Sequence, residues 1–455
     1  MTHTHTRIRT LAVAACAVAT LVVAGRAQAP YIYAITNARI VTAAGAAIEN
    51  GTIVFRDGTI EQVGTGITPP ATARVFDGKG MTVYPGLIDM GNTASVAMPT
   101  NASQNSRTTA DAERVKRDSL LHPHLRAAEN LAIDAPAMRK LAAAGVTTVL
   151  AVPQGAAFSG TSALVNVALP DDEPQIGAVA PVRKGQPVLR TPVAVHVAIP
   201  ENPPGEAYPN SLMGVIAFVR QSFIDAQYYG TVQERASRNR TAAARFTFDP
   251  ALEALGPVVN GRMPVVYRAD SVREIDRALD MARDFKLDAI LAGAHEADQM
   301  TSELKSRNMR VIFNLRYPER LKSLAPGADE PVRVLRERAN APKAPAALEK
   351  AGIVFAFESG GLEDPKDFVK NAAKAVKAGL STDAAIKALT INAATIAGAA
   401  DRVGSLEKGK IANAIVTDGD LFGEKTTIKY VFVDGRPVRI DEPGGDSRRN
   451  RTAAR

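Results

Sequence analysis

The sequence predicts an α/β protein in which a (β/α)8 TIM-like barrel is joined to a small discontinuous β-sandwich domain built from both chain ends. Strand–turn–strand patterns near both ends and alternating strand and helix patterns between them predict this fold. Such alternation over about 300 residues requires parallel strands and favours a barrel over an open sheet. No glycine-rich dinucleotide or P-loop motif follows a strand, which argues against a nucleotide-binding sheet.

Each end of the chain carries a hairpin signal. Asp57-Gly58 separates two strand-like runs, and Asp434-Gly435 does the same near the other end. Asp-Gly favours the positive φ angles of tight hairpin turns. These segments predict one composite β domain of residues 30–84 plus 402–440.

The middle of the chain, residues 85–401, carries the repeating units expected of a barrel. In the segment 271–285, Val272, Ile275 and Leu279 fall on one helical face. The apolar run 287–293 follows it as a strand. Similar helix–strand units recur up to a closing helical pair, and they predict the barrel domain.

The N-terminus has the pattern of an export signal. Arg7 and Arg9 precede the apolar run 11–25, and Ala-Gln-Ala at 27–29 offers a cleavage pattern. Residues 1–29 are therefore expected to be a signal peptide, and the protein to be periplasmic or extracellular. An uncleaved anchor and a lipid anchor on Cys16 are the alternatives. Cys16 is the sole cysteine, so the mature chain offers no disulfide and no cysteine-type zinc site.

The positive charge does not predict nucleic-acid binding. The formal net charge is +8, but no basic stretch is interleaved with aromatic residues. Four arginines fall in the last ten residues, so the tail 441–455 is interpreted as basic and disordered. Binding of this tail to an anionic surface is the alternative.

Four stretches together resemble the amidohydrolase superfamily, in its imidazolonepropionase-like branch: "MTVYPGLIDM" (81–90), the unit 263–297, "KAGIVFAFESGG" (350–361) and the segment 389–420. The resemblance implies hydrolysis of amide-type C–N bonds by a metal-bound hydroxide. It also implies ligands at the carboxyl ends of barrel strands: His-x-His on the first, His on the fifth and sixth, Asp on the eighth, and often a modified Lys on the fourth.

The ligand positions that the resemblance implies hold other residues. Gly91 and Thr93 stand in place of His-x-His, Tyr267 and Gly293 in place of the two histidines, and Gly360 in place of the aspartate. No lysine of the fourth strand can be aligned. The chain is therefore identified as a divergent member lacking the usual metal ligands, and no cofactor is expected.

Other residues near these strand ends form a candidate pocket, while no catalytic residue is assigned. The pocket residues are Asn92, Tyr267, Arg268, His295, Glu296, Glu358 and Ser359. Arg268 is suited to hold a carboxylate or phosphate through paired hydrogen bonds. Pairing of Arg268 with Asp270 or Glu296 is the alternative.

Replacement sites are also considered. His122 and His124 have His-x-His spacing, but Pro123 between them favours a surface loop. His196 is either a core or pocket residue or a ligand. His295 with Glu358 and Asp89 is a candidate for a weakly bound ion. The Gly/Ser-rich segment 154–165 is expected to be a loop at the active face, and 325–345 an insertion covering it.

Three functions follow. The favoured one is a silent homologue that binds a small molecule at the barrel mouth, or that partners a second copy or an active homologue. The alternative is an active hydrolase of non-peptide C–N bonds with a rebuilt or weak site for zinc or another divalent metal. The third is a metal-independent enzyme using Glu358, His295 or Asp89 in acid–base roles.

Overall fold

The structure is a computed structural model that describes residues 31–97, 108–132, 134–167, 188–201, 207–239, 246–320, 323–325 and 327–438. The predicted signal peptide, Cys16 and the basic tail lie outside these residues. The strands are β1 Ile32–Ile40, β2 Ile48–Arg56, β3 Thr59–Gly64, β4 Arg74–Asp77, β5 Thr82–Pro85, β6 Leu87–Asn92, β7 Val146–Ala151, β8 Phe158–Thr161, β9 Ala163–Asn166, β10 Val188–Arg190, β11 Val195–Ala198, β12 Val265–Ala269, β13 Ala289–Gly293, β14 Arg310–Asn314, β15 Phe355–Glu358, β16 Ala414–Thr417, β17 Ile428–Val433 and β18 Arg436–Val438.

The helices lie between these strands. They are α1 Thr109–Leu120, α2 Ala135–Ala143, α3 Leu212–Arg238, α4 Pro250–Val259, α5 Val272–Phe285, α6 Thr301–Ser306, α7 Val332–Asn340, α8 Ala344–Lys350, α9 Asp367–Lys377, α10 Thr382–Leu389 and α11 Ile391–Ile396. Among the helices of the described residues, none has both the length and the apolar composition needed to cross a membrane.

Strands from both chain ends join in one sheet. Its order is β18-β17-β16-β5-β1-β2-β3, and β4 pairs with β1. Both predicted hairpins are confirmed, with Asp57 and Asp434 at φ angles of 48° and 49° before Gly58 and Gly435. The association of the two chain ends is therefore confirmed, whereas the two-sheet sandwich and the domain boundaries stay predictions.

The middle of the chain has a TIM-barrel-like α/β arrangement with mixed sheets. Strands β11 to β15 run parallel in one sheet, and β6 and β7 run parallel in another. The purely parallel prediction is wrong for β8, β9 and β10, because β8 runs antiparallel to β11, and β9 runs antiparallel to both β7 and β10. The strands β8 and β9 lie largely in the Gly/Ser-rich segment 154–165. The prediction of a loop there is wrong for the residues of β8 and β9, which pair with neighbouring strands.

Alternate side chains of the strands contribute to two different cores. One cluster joins the strands' inner faces, including Ile88, Leu150, Val266, Ile290 and Ile312. The opposite face packs against the helices in a larger cluster. The alternation follows from the pleat of a β-strand, which points successive side chains to opposite sides.

Candidate functional site

A cavity of about 770 Å³ opens at the carboxyl ends of β12 and β15. We call it the strand-end cavity. Its lining includes Gly91, His196, Arg268, Asp270, Glu358 and Gly360. A larger groove of about 1160 Å³ lies at the amino-terminal ends of β11 and β12, and none of the predicted pocket residues lines it. The strand-end cavity is therefore the candidate site.

Arg268 and Glu358 form an ion pair in the wall of this cavity. Arg268 Nη2 donates to Glu358 Oε1 at 2.8 Å. The Glu358 side chain is 2% exposed, whereas that of Arg268 is 44% exposed. Arg268 follows Val266 by two positions on β12, so it projects to the inner face of the strand. The pair thus joins a buried carboxylate to a guanidinium that is open to the cavity.

Burial dominates the electrostatics around this pair. It raises the pKa of Glu358 to about 7, although Arg268 opposes the rise; Asp270 and Asp89 add to it. Burial, together with the charge of Arg268, lowers the pKa of His196 to about 3. His196 is therefore neutral at pH 7, and the positive charge beside it belongs to Arg268.

Asp270 and His295 form a second pair at the edge of the cavity. His295 Nε2 lies 3.0 Å from the carbonyl oxygen of Asn314, which can only accept, so Nε2 carries a hydrogen. His295 Nδ1 then faces Asp270 Oδ1 at 3.4 Å. One proton must lie on either group for the contact to be attractive. Burial raises the pKa of Asp270, while His295 and Arg268 act in the opposite direction.

The turn after β12 fixes the position of Asp270. Glu274 Oε2 accepts from the backbone N–H groups of Asp270 and Ser271, each at 2.9 Å. Glu296 Oε2 accepts from the N–H of Val272 at 2.8 Å. Both carboxylates cap the start of α5, where backbone N–H groups lack helical partners. These hydrogen bonds fix the backbone at Asp270 and so the place from which its side chain starts.

Asp89 connects the first and last strands of the barrel-like region. Its Oδ1 accepts from the N–H groups of Ser359 at 2.8 Å and Gly91 at 3.1 Å. Its Oδ2 accepts from Ser359 Oγ at 2.7 Å. Burial raises the pKa of Asp89, and these hydrogen bonds oppose the rise. Asp89 and Ser359 are therefore occupied with each other and not with the cavity.

The predicted pocket is only partly assembled. Arg268 and Glu358 line the cavity. The inclusion of Tyr267 is wrong, because its side chain packs in the outer cluster against the helices and is 1% exposed. Asn92 accepts from Ser95 instead.

His295, Glu296 and Ser359 also lie outside the cavity lining. His295 is behind Asp270, Glu296 caps a helix, and Ser359 binds Asp89, as described above. The proposed ion site of His295, Glu358 and Asp89 is not formed. In the described ranges, no three His, Cys, Asp or Glu side chains form a group that could hold a metal ion.

The three glycines at family ligand positions face polar side chains. A Cβ atom added at Gly91 would lie 2.5 Å from Glu358 Oε2, and one at Gly293 would lie 2.5 Å from Asp270 Oδ1. A Cβ atom at Gly360 would overlap Asn314 Oδ1. Gly293 and Gly360 also have positive φ angles of 97° and 60°, which favour glycine. The side chains of Glu358, Asp270 and Asn314 thus occupy the space that a longer side chain at these positions would need.

The remaining sequence candidates are placed elsewhere. His122 and His124 have ring centroids 6.0 Å apart and lie outside the strand-end cavity, and His124 is exposed. His196 does line it. Of the segment 325–345, no described residue lines the cavity. Its helix α7 contains no buried residue. Arg338 of this helix forms an ion pair with Glu330, which also pairs with Arg320.

Sequence reasoning missed Asp270 as a residue of the cavity, and it missed the contact of Asn314 with His295 behind it. Asp270 had been considered only as a partner of Arg268. Its signal was present, because it follows Arg268 by two positions at the end of a strand and so shares its side. Asn314 ends β14 and had no such signal, because only the folded structure brings its carbonyl to His295.

The fold and site together define a TIM-barrel-like α/β protein with a polar cavity at the strand ends. The comparisons then specify the family. A profile of the amidohydrolase family matches residues 216–438. The crystal structure of an amidohydrolase from Thermotoga maritima MSB8 is similar, with a TM-score of 0.70, 21% identity, and coverage of 90% of this chain and 99% of that chain. Residues 216–438 of the chain therefore match the amidohydrolase family.

Two further relatives are more distant. A putative prolidase from Bifidobacterium longum has a TM-score of 0.51 and 18% identity, covering 93% of this chain and 98% of that chain. The amidohydrolase tasK of Hapsidospora irregularis is 23% identical over 389 residues, which is 82% of this chain. The match spans only 38% of tasK. The two solved structures support the fold.

Proposed function

We propose that this chain is an exported amidohydrolase homologue that has lost the family's metal site and binds a small molecule in the strand-end cavity. The observation that carries the proposal is the ion pair of Arg268 with Glu358. A guanidinium is a fixed cation that cannot be deprotonated in proteins. It supplies the positive charge at the strand ends and leaves most of its N–H groups open to a ligand.

The residues at the family's ligand positions do not fit a divalent metal. Gly91, Gly293 and Gly360 carry no ligating side chain, and Glu358, Asp270 and Asn314 fill the space beside them. Such a site needs several nitrogen or oxygen ligands converging on one point. Glu358 instead pairs with Arg268, and Asp270 with His295. Neither carboxylate is therefore directed toward a shared metal position.

The proposal extends to the architecture and the setting. We propose that the two middle sheets close into the (β/α)8 barrel over 85–401, and that 30–84 plus 402–440 form the β-sandwich domain. Residues 1–29 direct export. The barrel, whose sequence is imidazolonepropionase-like, associates with a second copy of this chain or with an active homologue. Cell fractionation and mass determination of the mature chain test the export step.

The metal content of the purified protein tests the central claim. The untagged mature chain is produced in cells given zinc, manganese and iron, and its metals are measured by elemental analysis. We expect far less than one ion per chain, together with a cooperative unfolding transition that a chelator leaves unchanged. Near-stoichiometric metal that a chelator removes with loss of stability would contradict the proposal.

The second candidate is an active hydrolase of non-peptide C–N bonds with a rebuilt or weak metal site. The pair of Asp270 and His295 favours it, because a carboxylate beside an imidazole at a cavity edge can move a proton. Assays of cyclic amides with added zinc or manganese test it. Turnover that the Asp270→Asn variant loses and the Tyr267→Phe variant keeps would support this candidate over the silent one.

A further inference from the structure

We infer that the strand-end cavity takes a zwitterionic ligand, an amino acid or short peptide, whose carboxylate binds Arg268 and whose ammonium binds Asp270. The inference rests on the proposed function, since it names the class of ligand for the same cavity.

Arg268 is suited to the carboxylate. The structure gives its guanidinium one hydrogen bond within the described residues, from Nη2 to Glu358. Guanidinium has five N–H donors in a planar fork that matches a carboxylate through two parallel bonds. With 44% of the side chain exposed beside the cavity, donors remain for a ligand.

Asp270 is suited to the ammonium. Its side chain is 39% exposed and lines the cavity. Its Oδ1 is buried beside His295 Nδ1 at 3.4 Å, so the exposed oxygen of this side chain is Oδ2. The carboxylate therefore has capacity to accept from a cationic group that enters the cavity.

The spacing of the two residues suits one small ligand. Arg268 and Asp270 are two positions apart where β12 ends, so their Cα atoms are roughly 7 Å apart and their side chains start on the same side. One molecule with both charges can contact both side chains. The backbone contacts of Glu274 to the turn hold Asp270 in this position.

The charge balance favours a ligand with both signs over a simple anion or cation. Arg268 is already paired with Glu358, and Asp270 and Asp89 are the other carboxylates acting on Glu358. A simple anion at Arg268 would face these carboxylates, and a simple cation at Asp270 would face Arg268. A zwitterion adds no net charge and places each of its groups against an opposite one.

The walls indicate the rest of the ligand. Met90, Val152, Ile199 and Ile312 contribute apolar surface to the cavity. The volume of about 770 Å³ exceeds the need of one amino acid. An apolar side chain on a single residue or dipeptide would fill this space and remove apolar surface from water.

Titration calorimetry on the full untagged chain tests the inference, with the common L-amino acids and Ala-Xaa dipeptides as probes. For the tightest probe, the N-acetyl form and the carboxamide form are measured next. Each should bind about tenfold more weakly, or about 1.4 kcal/mol. Arg268→Gln should abolish the preference for the acid over the amide. Asp270→Asn should abolish the preference for the free over the acetylated amine.

Controls separate folding from binding. Tyr267→Phe, the neighbouring residue that faces the helices, should keep both preferences. If Arg268→Gln unfolds because Glu358 loses its partner, Arg268→Lys retains a cation and should still weaken the acid preference, because the fork is lost. Binding of none of the probes, or equal binding of blocked and free forms, would overturn the inference. Failure of the proposed function would be seen separately, as stoichiometric metal and release of hydrolysis products.

Discussion

Asp89 and Ser359 bind each other through two hydrogen bonds that link the first strand of the barrel-like region to the residue after its last. The Ser359 backbone N–H and its hydroxyl donate to the two oxygens of the same carboxylate, at 2.8 and 2.7 Å. Because β6 and β15 have no backbone ladder between them in the described sheets, this side chain joins their ends. Asp89, which lies in the stretch that resembles the family, thus has a structural role here.

The first prediction concerns this link. Asp89→Ala should lower the free energy of unfolding by about 3 kcal/mol, because buried N–H groups of Ser359 and Gly91 lose their acceptor. Ser359→Ala removes the hydroxyl bond alone and should cost about 1 kcal/mol. Urea denaturation of both variants checks this. Equal losses in the two variants would show that the backbone contacts contribute little.

The second prediction concerns the crowded glycine on β6. Gly91→Ala should destabilise the chain by about 1–3 kcal/mol, because the new methyl group meets the buried side chain of Glu358. Gly230, within α3, has no atom near its would-be Cβ, so Gly230→Ala should instead stabilise by about 0.5–1 kcal/mol. Thermal unfolding compares the two. A neutral Gly91→Ala would mean that Glu358 can move aside.

The third prediction is a pH dependence from Glu358. Its pKa is raised from 4.5 to about 7 in the folded chain, so the folded state holds a proton that the unfolded state has lost. The free energy of unfolding should therefore fall as pH rises from 4.5 to 7, by about 1.4 kcal/mol per pH unit at most.

Glu358→Gln tests that dependence, since glutamine can still accept from Arg268. The difference in unfolding free energy between wild type and variant should change across this pH window and be constant above it. Denaturant titrations at several pH values measure the difference. A constant difference at every pH would refute the assignment to Glu358.

The fourth prediction concerns acid. The pKa of His196 is lowered from 6.5 to about 3, so the unfolded state binds the proton more readily. Stability should fall as pH drops from 6.5 toward 3, and His196→Gln should lessen this fall. Equal acid slopes in wild type and His196→Gln would contradict the prediction.

Local signals explain what the sequence predicted correctly. The hairpins at Asp57 and Asp434 follow from turn chemistry within a few residues. Arg268 followed from its place at a strand end. The misplacement of Tyr267 shows the limit, because a shift of one residue in a strand reverses the face to which the side chain points. Similarity to a family motif identifies the strand, but it does not determine to which face of the strand a given side chain points.

Tertiary pairing explains what sequence reasoning missed. The segment 154–165 is rich in glycine and serine, which disfavour strands in isolation. It becomes extended because β7 and β11 supply backbone partners on both sides. The contact of His295 with Asn314 likewise joins residues of different strands. Neither arrangement leaves a local pattern in the sequence.

The reversed strand β9 also bears on how the chain folds. Leu150 pairs with Leu164, and Thr148 with Asn166, so this part of the wall is a local hairpin that needs no crossover helix. Hairpins form within microseconds, whereas distant parallel pairings must first close long loops. We therefore expect β7 and β9 to pair early and to offer a template edge on which the later parallel strands assemble.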